Sequence, residues 1–312
     1  MTECRLALGL AALGRPAYIT LDHAEVLGED RSVEALCARA FEVLDAAYAA
    51  GIRHVDAARS YGLSEEFVAS WLAARPDTGD VFVSSKWGYR YVGDWRVEAD
   101  VHEVKDHSLD AFRHQWAETT SLLGSRVRLY QVHSVTPESP VLTDRALLDE
   151  LAGLRDTGVR LGLSTSGPHQ ADVIRDALGV SAGGAPVFSA VQATWNLLEP
   201  SVGPALDEAA AAGWWVMVME VLANGRLAGP AAPVAVVALA RQTGVTPDAL
   251  SIAAALALES GPSVLLGPIS TSQLASNLVA LGVDGTALSG ELSDLAQPAE
   301  SYWQQRSSLA WH

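Results

Sequence analysis

The strongest constraint on this sequence is an alternation of two patterns, repeated about eight times. Short β-rich runs give way to longer segments of helical period. Leu6–Leu10 reads as the first strand and Val33–Ala50 as the first long helix, with Ser32 placed to cap it and Gly51 to end it. Further strands are expected at 53–57, 81–86, 127–133, 159–164, 187–193, 214–221 and 264–267. Helices are expected at 64–74, 109–123, 144–157, 169–178, 202–212, 234–243, 247–258 and 272–281, and the polar stretch 22–31 carries no element. Strands that alternate with helices imply a parallel sheet with right-handed crossovers, and eight such units can close into a barrel. An open doubly wound sheet is the rival, but no G-x-G-x-x-G follows the first strand. The expected fold is therefore a single (β/α)₈ TIM barrel spanning 1–312, with its active site at the C-terminal face of the strands. The tail 288–312, which carries Tyr302, Trp303 and Trp311, is expected to cover part of the barrel, because three exposed rings would be unfavourable.

Composition narrows the partners. A hydrophobic fraction of 49% over 312 residues supports one large core. A net charge of −16 argues against nucleic acid, which needs a basic surface, and an anionic ligand would need a local positive or amide-rich pocket. No apolar run approaches the ~20 residues of a membrane span. With no basic n-region at the N-terminus, and with Cys4 and Cys37 too few for a disulfide framework, a reduced, cytoplasmic compartment is expected.

Polar residues at the C-terminal ends of barrel strands are candidates for chemistry before any family is considered. The second strand ends in Asp56, with Tyr61 in the loop that follows; the third delivers Lys86 and the fourth His133. A buried ammonium needs a counter-ion, and Asp56 is the natural one. A lysine held against a tyrosine is expected to favour the phenolate and lower the phenol's pKa from about 10. Such a tyrosine could exchange a proton with an alkoxide or alcohol, and His133 could orient the substrate oxygen. His107 and His114, away from strand ends, read as solvated.

The stretch Gly51-Ile52-Arg53-His54-Val55-Asp56-Ala57-Ala58-Arg59-Ser60-Tyr61-Gly62 resembles a signature of the aldo/keto reductase family. Leu129-Tyr130-Gln131-Val132-His133-Ser134 is similar to its histidine segment, and Lys86 matches its lysine. The resemblance runs from Leu6 to about Leu281. It implies hydride transfer from a nicotinamide without a metal, with Asp56 and Lys86 tuning Tyr61 as general acid and His133 positioning the carbonyl. It also implies a dinucleotide extended across the barrel mouth. Ser164 and Gln192 would hold the carboxamide, and Met219 would lie where many members stack a tyrosine on the nicotinamide. Glu220, Leu222, Gly225 and Arg226 would form the pyrophosphate loop, and Gly267, Ser270, Gln273 and Asn277 the adenine end. Many members grip the 2′-phosphate of NADPH with a basic residue at that end, and this chain has none there. The expected cofactor is NADP(H), with NAD(H) as the alternative. Trp87, Tyr89 and Trp195 are candidate walls for a small carbonyl or alcohol substrate, among a wider group with Tyr91 and Trp95. The competing readings are an NAD(P)⁺-dependent sugar or alcohol dehydrogenase and a cofactor-binding redox-sensing subunit. The assembly is expected to be a monomer or small homo-oligomer.

Overall fold

Eight strands too short to be stable as isolated ribbons find partners on both sides only by closing on one another. The computed structural model describes residues 5–21, 23–288 and 292–312; Cys4 and residues 289–291 of the tail lie outside them. The strands are β1 (Leu6–Gly9), β2 (His54–Asp56), β3 (Phe82–Trp87), β4 (Tyr89–Tyr91), β5 (Glu103–Lys105), β6 (Val127–Val135), β7 (Arg160–Thr165), β8 (Ser181–Ala182), β9 (Ala185–Pro186), β10 (Ala190–Thr194), β11 (Trp215–Met219) and β12 (Ser263–Leu266). Eight of them form a closed barrel in the order β1-β12-β11-β10-β7-β6-β3-β2. Every barrel pairing is parallel. The fold is a (β/α)₈ TIM barrel, as expected from the sequence.

The helices are α1 (His23–Leu27), α2 (Val33–Ala49), α3 (Ser64–Ala74), α4 (Leu109–Leu123), α5 (Arg145–Asp156), α6 (Gln170–Leu178), α7 (Gly203–Ala211), α8 (Val234–Thr243), α9 (Pro247–Leu256), α10 (Thr271–Leu278) and α11 (Ala299–Ser307). The caps follow side-chain chemistry: Ser32, Ser108, Asp144 and Ser270 each accept a backbone N–H from the first turn. Alternate strand residues face opposite ways. Ala7, Leu129, Ala190, Met217 and Leu265 fill the barrel axis, whereas Leu6, Leu8, Val191, Val216 and Val218 pack outward in the larger core with the helices.

The sequence reading omitted α1, α11 and the hairpins β4–β5 and β8–β9. All are short, and each depends on packing that a local pattern does not reveal. The β4–β5 hairpin stands after β3, on the face that carries Lys86. The tail returns to the first loop: Tyr18 N–H donates to His312 O and His312 N–H to Tyr18 O (3.2 and 3.1 Å). Trp311 stacks on His102 at 4.2 Å and meets Tyr18 edge-on. No helix among the described residues is long and apolar enough to cross a membrane.

Candidate active site

Asp56 and Lys86 lie at the ends of adjacent strands, and His133 is on β6 beside them. Tyr61 comes from the loop between β2 and α3, and glycine fixes its place. A Cβ on Gly14 would sit 2.2 Å from the Tyr61 carbonyl oxygen, and Gly62, at φ +59°, meets the Gly14 carbonyl in return. Leu63 N–H donates to Gly14 O at 2.7 Å, locking the two loops. Only residues without a side chain allow this approach. His133 is followed by Ser134 in a left-handed conformation (φ 51°), whose N–H donates to Ser164 Oγ at 2.8 Å.

Lys86 Nζ donates to Asp56 Oδ2 and, at 3.3 Å, to Ala57 O; both charged side chains are almost wholly buried. Asp56 Oδ1 accepts from Ser84 Oγ (2.6 Å), Gln192 Nε2 (3.3 Å) and Gln131 Nε2 (3.4 Å). Nζ stands 4.9 Å from the centroid of the Tyr61 ring, and the Tyr61 hydroxyl is 3.4 Å from His133 Nε2. Ser60 Oγ lies 3.3 Å from His133 Nδ1. The four residues singled out at strand ends therefore converge.

Their protonation differs from the sequence expectation. Burial pushes the Tyr61 phenol well above its usual value, and the Asp56 carboxylate adds to the rise. The Lys86 ammonium, paired with Asp56, does not outweigh this rise. Burial, followed by the positive charge of Lys86, holds the His133 imidazole well below its usual range. The resting pair is thus a neutral phenol beside a neutral imidazole, a proton donor rather than a poised phenolate. His107 is also corrected. It is buried, donates Nε2–H to the His133 carbonyl at 2.8 Å, and is lowered to about 4 by burial. His114 is exposed.

A cavity of about 390 Å³ runs from Asp56 and Tyr61 to α10. Of the cofactor candidates, Gln192, Met219, Glu220, Leu222, Gly225, Gly267, Gln273 and Asn277 line it. Ser164, Arg226 and Ser270 stand behind the wall. Ser164 supports Ser134, and Arg226 lies over the Tyr302 ring at 4.5 Å and bonds Gln305. Ser270 caps α10 by accepting from Gln273 N–H, while Gln273 Oε1 accepts from Ile269 N–H. Glu220 is paired with Arg306 at 2.9 Å. Among the substrate candidates, Trp87 is buried against His107 and Phe112. Trp195 is also buried outside the cavity lining, and its backbone N–H donates to Met219 O. Tyr89 approaches His133 to 5.2 Å, and burial pushes its phenol up to about 12.

Two residues escaped the sequence reading. Tyr18 lines the cavity, and Arg15 is buried with its guanidinium 5.2 Å from the Tyr61 ring, bonded to Glu103 and Ser60 O. Both lie in the loop after β1, where the strand-end argument applied to β2, β3 and β6 would have found them.

The cavity suits an extended dinucleotide. It is long, largely apolar, and bordered by Gly267, where a Cβ would meet open space, and by the Ser270-capped start of α10. Among the described residues the lining holds no lysine or arginine, and it carries the carboxylates Asp56, Glu220 and Asp248. Lys86 and Arg306 neutralise the first two; Asp248 accepts from Asn277 Nδ2 at 2.8 Å.

A family model described as the aldo/keto reductase family matches residues 37–284. A 102-residue stretch is 35% identical to aldo-keto reductase str7 of Strobilurus tenacellus, covering 32% of this chain and 27% of that one. The chain thus spans about a quarter of that relative's length. The fold is similar to aldo-keto reductase AKR11C1 from Bacillus halodurans in its holo form (TM-score 0.67, 20% identity, 96% of this chain and 95% of that one). It is equally similar to the glycerol dehydrogenase AKR11B4 from Gluconobacter oxydans (TM-score 0.67, 21% identity, 94% and 92%).

Proposed function

Because this chain belongs to the aldo/keto reductase family, we propose that it is an oxidoreductase that moves a hydride between a nicotinamide dinucleotide and a small carbonyl or alcohol. The observation that carries this reading is the meeting of Tyr61, His133 and the Asp56–Lys86 pair at one end of the long cavity. A bound nicotinamide would supply the hydride. The protein's own residues supply the rest. Tyr61 and His133 bind the carbonyl oxygen from two sides, and Tyr61 gives its proton to the oxygen as negative charge develops there. The Lys86 ammonium beside the ring then stabilises the phenolate that remains, and Asp56 holds Nζ in place. A neutral resting phenol arrives already protonated, as reduction requires.

Gln192 would reach the carboxamide, with Met219 against the ring; Leu222 and Gly225 would border the pyrophosphate; Gly267, Gln273 and Asn277 would border the adenosine. The resemblance alone implies NADP(H). The lining supports NAD(H) instead, because a 2′-phosphate would bring about two negative charges to a wall with Asp248 and, among the described residues, no cation. The substrate side, near Tyr18 and Tyr89, suits a small aldehyde, ketone or sugar, and a cytoplasmic setting fits this role. Titration with all four nicotinamide forms, followed by a carbonyl panel, tests the reading. Binding of one form and turnover that Tyr61→Phe abolishes is expected. Failure to bind any form would end the proposal.

A further inference from the structure

Two residues before Asp56 on β2, and therefore on the same face of the strand, His54 points into the barrel beneath the site. Its ring stacks on Phe82 (4.7 Å, 13°) and tilts against Trp215 (4.9 Å). Burial lowers it to about 4, so the ring is neutral at pH 7; Asp56 and Lys86 are the charged groups whose fields reach it. Its Nε2 lies 2.8 Å from Ser84 Oγ.

Ser84 faces Asp56 in register across β2 and β3. A serine hydroxyl has one hydrogen. That hydrogen goes to Asp56 Oδ1, at 2.6 Å, because a bond to a carboxylate is the stronger choice. Ser84 Oγ can then only accept from His54, which fixes the imidazole as the Nε2–H form. Consistently, His54 Nδ1 is buried with no hydrogen-bond partner among the described residues. The opposite tautomer would turn the serine hydrogen toward His54 and withdraw the shortest bond on Oδ1. The remaining donors, Gln192 and Gln131, stand at 3.3 and 3.4 Å.

We infer that His54 and Ser84 are positioning residues, a two-link chain of donors rising through the barrel that fixes the Asp56 carboxylate and, through it, places Lys86 beside Tyr61. The inference rests on the reading of Tyr61 as the proton donor. It assigns work to a histidine outside the cavity and to a serine that never meets substrate.

The test has two arms. In protein labelled with ¹⁵N-histidine, the His54 signal, assigned by its loss in His54→Gln, is expected to show the Nε2–H form at pH 7. Ser84→Ala should disturb that signal and Ser84→Thr should restore it. In steady-state reduction, Ser84→Ala should lower kcat about tenfold at unchanged KM, equivalent to about 1.4 kcal/mol, with recovery in Ser84→Thr. An Nδ1–H form or an imidazolium in the wild type overturns the chain of bonds, as does a spectrum unmoved by Ser84→Ala. An unchanged kcat in Ser84→Ala overturns the positioning role. Should the wild type reduce no carbonyl, the functional reading falls, and the imidazole spectrum still decides the relay.

Discussion

Replacing Lys86 by methionine keeps most of the side-chain volume and strands the Asp56 carboxylate in the barrel. Both groups are almost wholly buried, so water cannot take over from the ammonium. Breaking a buried ion pair costs about 3–5 kcal/mol. Asp56 would keep three donors, of which only Ser84 at 2.6 Å is short, so the loss is expected near the lower end, about 3 kcal/mol. With a urea m-value of about 3 kcal/mol/M, the midpoint should fall by about 1 M at pH 7. Adding Asp56→Asn removes the stranded charge and should return about 2 kcal/mol of that loss. Urea melts of the wild type, both single variants and the double variant at pH 7 measure this cycle. A double variant no more stable than Lys86→Met would refute the claim that the ammonium is there to balance Asp56.

Tyr61→Phe should lower carbonyl reduction by about 10²–10⁴-fold and leave cofactor affinity, read by quenching of tryptophan fluorescence, nearly intact; unchanged turnover removes Tyr61 from its role. Gly14→Ala drives a Cβ into the Tyr61 carbonyl and should cost about 1–3 kcal/mol of stability, together with a fall in kcat, by urea melts and kinetics; a neutral result would mean the two loops are not locked. His54 and His107 are each lowered to about 4 against about 6.5 when unfolded, so their contribution is intact above pH 6.5 and lost as pH falls toward 4. Each should cost about 2 kcal/mol by pH 5, and His107→Gln should flatten that acid limb in a pH series of melts. Gln273→Arg should shift the NADPH-to-NADH affinity ratio at least about tenfold toward NADPH; a ratio that stays put places the 2′-phosphate elsewhere.

The sequence determined the barrel because alternating periods of two and 3.6 residues are properties of the chain itself. The strand–helix units carry their own apolar faces, and several carry their own cap and stop, as Ser108 and Gly124 do for α4. Strand-end positions followed from that order, and with them Asp56, Lys86 and His133. The charge state of the site was not legible. From sequence, Lys86 was expected to pair with Asp56 and still to acidify Tyr61. Only the closed barrel shows the phenol stripped of water, which raises its pKa instead. The same holds for Trp87, Trp195 and Arg226. An aromatic or basic residue near a strand end can face the cavity or the helices behind it, and a shift of one residue reverses the choice. Arg15 and Trp311 lie almost three hundred residues apart in the chain, yet their side chains meet at 4.7 Å beside Tyr61. Periodicity is local and survives in a one-dimensional reading. Desolvation and the pairing of charges depend on which distant residues fill the surrounding volume, and that is decided only when the barrel closes.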